Sequence, residues 1–154
     1  MKKYSDLYRE TRKALLPIDG PHQAGTTARE LLQLASGKTA AELLADGEKY
    51  ADTSVCTALE AYVQRMLKGE PLAYILGEWD FYGLKFHVTP DVLIPRDDTC
   101  ALTEIAIRQA LFLDPNPRIL DLCTGSGCIG IAIASRVKDA KVTLADLSRE
   151  ALAV

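Results

Sequence analysis

Residues 118–130 read R-I-L-D-L-C-T-G-S-G-C-I-G, and the fold turns on how this run is parsed. Ile119, Leu120 and Leu122 form a short apolar series around Asp121, the pattern of a buried strand in a parallel sheet. Five small residues follow: Cys123, Thr124, Gly125, Ser126 and Gly127. Ile129, Ile131 and Ile133, with Ala132 and Ala134, then resume an apolar segment that predicts a helix to about Val137. A glycine turn between strand and helix lets a ligand approach bare backbone, and the helix N-terminus offers it unpaired N–H groups.

Lys141 to Ala145 (K-V-T-L-A) predicts the next strand, and Asp146 stands at its end. That is about 20 residues beyond the first glycine, the separation at which an acid accepts hydrogen bonds from a ribose diol in a Rossmann-type βαβ unit. The plain alternative is an ordinary tight turn followed by a surface Asp that caps the next helix. The spacing also limits the ligand. No Lys follows Gly127, as a P-loop requires, and an acid precedes the turn instead of the G-x-G-x-x-G that seats a pyrophosphate. Such an acid suits a ligand with an amino group and no phosphate. S-adenosylmethionine fits, with Asp121 facing its ammonium end, the turn its backbone and Asp146 its ribose. The arrangement resembles motif I of the class I methyltransferases.

The chain has 154 residues, 48% apolar and 25% charged, an ordinary globular composition. Its net charge of −3 gives no general attraction to nucleic acid. No apolar run reaches the length of a membrane span, and the start M-K-K-Y-S-D lacks a signal-peptide core. Cys56, Cys100, Cys123 and Cys128 form no C-x-x-C pair, so small buried thiols in a reducing cytoplasm, and no metal site, are expected. The final A-L-A-V falls inside the helix expected after the second strand. A doubly wound sheet needs more strands, so the reading is of a fragment of a longer protein.

The first 70 residues predict a small helical bundle. Lys3 to Leu16 is amphipathic and halts at Pro17 and Gly20. Thr27 to Glu30 and Thr39 to Glu42 both have the form of a capping box, the first leading into Leu31, Leu32 and Leu34. Asp52, Thr53 or Ser54 caps a longer helix through Leu67, closed by Gly69, and His22 is placed in a solvated loop. Residues 69–77 (G-E-P-L-A-Y-I-L-G) form a hinge. Alternating Trp79, Phe81, Leu84, Phe86 and Val88 about Tyr82-Gly83 predict a β-hairpin whose aromatics serve packing. Asp91 to Ile94 predicts another extended piece. A helix capped by Asp98 or Thr99 follows, and D-P-N-P at 114–117 breaks the chain before the central strand.

Several stretches together, in order, resemble one family: G-E-P-L-A-Y-I-L-G-E-W-D-F-Y-G-L-K-F-H-V, V-L-I-P-R-D-D-T, I-L-D-L-C-T-G-S-G-C-I-G-I-A-I-A and A-D-L-S-R-E-A-L-A-V. They are similar to the HemK family, the release-factor glutamine methyltransferases. The resemblance implies an α/β chain with a small N-terminal helical bundle, a β-hairpin linker and the start of a Rossmann-like doubly wound class I methyltransferase sheet. Its expected parts are a helical substrate-recognition domain over 1–70, a hinge and hairpin over 71–96, and the first part of the methyltransferase domain over 97–154. It implies methylation of the side-chain amide of the glutamine in the G-G-Q loop of peptide-chain release factors, with S-adenosylmethionine as cofactor. Asp121, Cys123, Thr124, Gly125, Ser126, Gly127 and Asp146 would hold that cofactor, and Pro95, Arg96 and Thr99 would line the floor between it and the substrate. Arg96 also has the plain reading of a surface arginine paired with Asp97 or Asp98. A cytoplasmic monomer that binds a release factor, and neither nucleic acid nor membrane, is expected.

Three departures stand out. Cys123 replaces the first motif glycine, Cys100 replaces an acid often found after P-R-x-x-T, and the N-P-P-Y motif that grips the target amide is absent from the 154 residues. No catalytic residue is therefore assigned, and the chain alone is expected not to methylate. Three other readings stand beside the release-factor one. A glutamine methyltransferase of a large-subunit ribosomal protein is disfavoured by P-R-D-D-T. A non-catalytic release-factor-binding module would act through residues 1–70. Adenine-specific DNA methyltransferases are set aside by the acidic balance and the helical front end.

Overall fold

The computed structural model describes residues 2–113 and 115–154. The elements run α1 (Tyr4–Ser36), α2 (Ala40–Ala45), α3 (Thr53–Leu67), α4 (Leu72–Leu76), β1 (Glu78–Phe81), β2 (Leu84–His87), α5 (Asp98–Leu113), β3 (Arg118–Leu122), α6 (Cys128–Arg136) and β4 (Lys141–Ala145), with a 3₁₀ turn at Ala151–Ala153. They form two units, one ending at Leu76 and one beginning at Gly77. The α/β class read from the sequence is what the chain adopts: helices first, an antiparallel hairpin, then the opening of a parallel sheet.

In the first unit the expected break at Pro17 does not occur. Helix α1 runs past it and bends at Gly20, whose φ of 70° and ψ of 174° no helical residue shares. Pro21 then opens the second half, where its missing N–H costs nothing. The helix expected to start at Thr27 therefore starts six residues earlier. Thr27 is no cap: it is buried, and its hydroxyl donates to the Gln23 carbonyl at 3.3 Å. His22 is exposed but helical rather than in a loop. The bend turns the two halves toward each other at Gly25, where an added β-carbon would lie 3.2 Å from the Tyr8 hydroxyl. The second capping box is present as read, Glu42 N–H donating to Thr39 Oγ1 at 3.3 Å and Thr39 N–H to Glu42 Oε2 at 2.8 Å. Leu7, Leu15, Leu31, Leu32, Leu59 and Val63 fill the core, with Leu15 and Leu31 wholly buried. Helix α4 occupies the centre of the hinge and buries Ala73 and Ile75.

In the second unit β1 and β2 pair from Glu78↔His87 to Phe81↔Leu84. Tyr82 (φ 52°) and Gly83 (φ 77°) both take positive φ, the signature of a type I′ hairpin turn. Phe81 and Phe86 meet edge to face at 6.2 Å and pack on Cys128 and Ala132 of α6. The Arg136 guanidinium lies 5.7 Å from the Tyr82 ring centre. No strand forms at Asp91 to Ile94, where a turn brings Val92 N–H to the Thr89 carbonyl at 3.1 Å. Asp98 and Thr99 are inside the first turn of α5 rather than before it. Of the expected breaker, Asp114 lies outside the described residues; Pro117 accepts from Lys141 N–H at 2.8 Å. Strands β3 and β4 are parallel, Asp121 opposite Leu144 and Leu122 opposite Ala145. The expected burial of β3 is not reached: one face is half-buried and the other exposed. Ile119 and Asp121 turn toward α6, whereas Leu120 (62% exposed) and Leu122 (68% exposed) point from the other face. The last residues form a 3₁₀ turn rather than an α-helix.

Replacing Leu31 by Ala empties a fully buried site between the two halves of α1 and the rest of the helical core, and is expected to cost about 2–5 kcal/mol. Urea unfolding followed by helical circular dichroism measures it; a loss near zero would mean that this side chain is not packed as described.

Candidate functional site

The chain leaves β3 at Leu122 and enters α6 at Cys128. That reversal needs three residues in the left-handed region: Cys123 (φ 61°), Gly125 (φ 54°) and Gly127 (φ 74°). The two glycines take it without penalty, whereas Cys123 carries a β-carbon there and is strained. Gly127 is also needed for space, because a β-carbon would stand 3.0 Å from Ile131 Cδ1 and 3.1 Å from Leu144 Cδ1. Gly125 differs: nothing lies within 4 Å of where its β-carbon would be, so this part of the turn faces open space.

Two carboxylates grip the turn. Asp121 Oδ2 accepts from Thr124 Oγ1 at 2.7 Å and from Gly130 N–H at 2.8 Å. Asp146 Oδ2 accepts from Gly125 N–H at 2.8 Å, and its Oδ1 from Ser148 N–H at 3.0 Å. Thr124 N–H donates to the Ala145 carbonyl at 3.0 Å, extending the strand pairing into the turn. The helix N-terminus is thus less open to a ligand than its position suggests, since Asp121 takes the Gly130 donor. Asp146 keeps spare capacity, since a carboxylate offers about four lone-pair positions and the neighbouring backbone does not fill them all. The bonds from Ser148 and Gly125 hold its pKa below the ordinary carboxylate value.

The structure therefore brings Asp121, Thr124, Gly125 and Asp146 together, with Ser126 and Gly127 completing the turn and Cys123 exposed at its start. Pro95, Arg96 and Thr99 lie before and at the start of α5. Pro95 is buried, Thr99 half-buried and Arg96 exposed, and among the described residues no ion pair joins Arg96 to Asp97 or Asp98. Thr99 N–H donates to the Arg96 carbonyl at 3.0 Å, and the next residue, Cys100, packs on the Phe81, Phe86 and Cys128 cluster. Of the four cysteines only Cys128 is buried, contrary to the expectation of buried thiols throughout; burial raises its pKa. Among the described residues no group of three or more His, Cys, Asp and Glu is placed to hold a metal, and no helix is long and apolar enough to cross a membrane.

Two participants escaped the sequence reading. Gly130 faces β4 so closely that a β-carbon would fall 2.3 Å from Leu144 Cδ2, 3.0 Å from Asp121 Oδ2 and 3.1 Å from Val142 Cγ1. A glycine inside an apolar helix next to a strand is the signal that marks such an approach. Ser148 fixes the chain after Asp146, its hydroxyl accepting from Ala151 N–H at 3.0 Å. A cleft of about 400 Å³ flanks Thr124 to Gly127 on the side of Ile131 and Leu144, bordered by β2.

A parallel βαβ opening with a glycine turn held by acids at the ends of both strands, preceded by a hairpin and a helical unit, is the fold class of an α/β, Rossmann-like methyltransferase. Residues 6–77 match the family model described as the PrmC N-terminal domain. The chain is 48% identical over 111 residues to the release factor glutamine methyltransferase of Haemophilus influenzae, a match covering 70% of this chain and 38% of that protein. With the proteins of that name from Coxiella burnetii and Vibrio cholerae it shares 43% over 127 residues (82% of the chain, 46% of the protein) and 39% over 136 residues (88% and 47%). The chain is related along most of its length to the release factor glutamine methyltransferases, in line with the resemblance. It spans less than half the length of these curated relatives.

The lowered pKa of Asp146 has a consequence in acid. Its two backbone bonds contribute stability that is complete above the unfolded carboxylate pKa of about 3.9 and is lost as pH falls through the lower folded value. In Asp146→Asn that component is missing. The gap between the unfolding midpoints of wild type and variant is expected to narrow steadily below pH 4, as read by urea titrations from pH 6 to pH 2.5. A gap that stays constant would mean that Asp146 does not hold the turn through its charge.

Proposed function

We propose that this chain is the cofactor-cradling and substrate-recognising part of an enzyme that methylates the side-chain amide of the glutamine in the G-G-Q loop of peptide-chain release factors. The observation that carries the reading is the turn Cys123 to Gly127 with Asp146 beside its open face, within a chain related along most of its length to enzymes of that name. P-R-D-D-T at residues 95–99 favours a release factor over a ribosomal protein as the substrate. In this reading residues 1–70 dock the release factor, residues 71–96 link, and residues 97–154 open the methyltransferase domain of a cytoplasmic, monomeric protein.

The residues present fit S-adenosylmethionine. Gly125 leaves room where a side chain would stand, and Asp146 retains acceptor capacity for the ribose while holding the turn. Cys123, Thr124, Gly125, Ser126 and Gly127 present backbone to the amino-acid end of the cofactor, with the Asp121 carboxylate next to it. Pro95, Arg96 and Thr99 line the floor toward the substrate. When bound, S-adenosylmethionine supplies an electrophilic methyl group on sulfur. What these residues contribute is position: a preformed turn spends little free energy on ordering, and holding the methyl in line with an incoming nitrogen is where most of the rate enhancement comes from.

An amide nitrogen is a poor nucleophile, because its lone pair is delocalised into the carbonyl. Groups that accept from the amide N–H and leave the lone pair aimed at the methyl are required. In the family N-P-P-Y has that task, and the run does not occur in these 154 residues. The chain alone is therefore expected to bind cofactor without turnover. Calorimetric titration of S-adenosylmethionine into the chain tests the site. Saturable binding is expected, weakened about 10- to 100-fold in Asp146→Ala through loss of charge-assisted bonds to the ribose. Equal affinity in the two proteins would remove Asp146 from the site, and methylation of a release factor by this chain would show that the reactive groups lie inside it.

A further inference from the structure

Thr124 belongs to the turn, yet its side chain does not face the open side. Its hydroxyl donates to Asp121 Oδ2 at 2.7 Å, and the residue is 8% exposed. The same oxygen receives Gly130 N–H at 2.8 Å from the first turn of α6. One carboxylate oxygen at the end of β3 thus ties the middle of the turn to the helix that follows it. The closeness is enforced from behind, because Leu144 and Val142 of β4 leave no room for a β-carbon at Gly130. Thr124 also reaches the other strand through its N–H to Ala145, and its carbonyl accepts from Gly127 N–H at 2.9 Å.

We propose that Thr124 and Gly130 are positioning residues that act through Asp121 Oδ2 to set the conformation of the glycine turn. The Thr124 hydroxyl is directed inward, onto Asp121, and away from the open side of the turn. This rests on the reading of the turn as the seat of the amino-acid end of S-adenosylmethionine, and it adds a cause for the shape of that seat. Of the three left-handed residues, Cys123 keeps its β-carbon there, an unfavourable conformation that needs an outside hold. Two donors converging on one charged oxygen supply it.

The test has a ligand-free arm and a ligand arm, both on the full 154-residue chain. In two-dimensional amide NMR spectra without ligand, Thr124→Val, equal in shape but lacking the hydroxyl, is expected to shift the Gly125, Gly127 and Gly130 resonances. Thr124→Ser is expected to return them to the wild-type positions. In calorimetry, Thr124→Val is expected to bind S-adenosylmethionine about tenfold more weakly and Thr124→Ser within about twofold of wild type, while 5′-methylthioadenosine, which lacks the amino-acid end, binds all three alike. Unchanged glycine resonances in Thr124→Val overturn the proposal, and so does equal weakening of both ligands, which a merely structural role would give. If Thr124→Val does not fold, Asp121→Asn takes its place: a neutral acceptor is expected to move the Gly130 amide upfield, and an unmoved Gly130 amide refutes the tie. A wild-type chain that binds no S-adenosylmethionine refutes the reading of the site, whereas the glycine resonances still decide whether Thr124 sets the turn.

Discussion

The second unit depends on two carboxylates meeting one turn. Parallel neighbours cannot be joined by a hairpin; the chain must leave the sheet, run back as a helix and re-enter. Here the exit takes five residues, too few to avoid left-handed backbone, which falls at Cys123, Gly125 and Gly127 and strains the first of them. Asp121 and Asp146 stand at the ends of adjacent strands, so parallel pairing itself brings both acids to the same edge. Each then accepts backbone donors that the reversal would otherwise leave without partners. Sheet register, helix start and turn shape are in this sense one constraint, met by two side chains.

That same arrangement explains why the glycines are not equivalent. Gly127 and Gly130 are required by what lies behind them, Ile131, Leu144 and Val142, and serve packing of helix on strand. Gly125 is required by φ alone and has empty space in front of it. The geometry of the turn thus separates the glycine that fronts open space from those that serve packing.

How legible was this in the sequence? The strand, turn, helix and second strand were readable because each has a period or a punctuation that local physics dictates: alternation, small residues, then apolar recurrence. Tyr82-Gly83 announced the hairpin for the same reason. What could not be read was set by tertiary contact. Pro17 ought to end a helix and does not, because the bend is absorbed three residues later at Gly20, whose lack of a β-carbon makes that backbone accessible. Thr27 and Thr39 carry the same capping signature, and only burial tells them apart. Thr27 is packed within a helix, so its hydroxyl turns to a carbonyl of the preceding turn, whereas Thr39 follows Gly37, which ends α1, and is free to cap. In the site the residue types were legible and their bonding was not. Asp121 was read as facing a ligand, and the bonds its Oδ2 accepts from Thr124 and Gly130 carried no signal in the sequence.

The apolar layout of the sheet adds a last step. Leu120 and Leu122 alternate with Ile119 and Asp121, so one face of β3 meets α6 and the other meets solvent at about two-thirds exposure. Leucine is costly to leave in water, at about 25 cal/mol per Å² of apolar surface, and a strand with one wet face ordinarily carries polar residues there. A strand apolar on both faces is written for cover on both. Helix α6 supplies one cover, and the exposed leucines mark where a second belongs. The acids hold the turn by short contacts made wholly within β3, α6, β4 and the residues just after it, whereas the other face asks for partners beyond these elements. Turn geometry and sheet burial are therefore separable in this protein: the first is complete in local bonds, and the second rests on packing that those bonds do not provide.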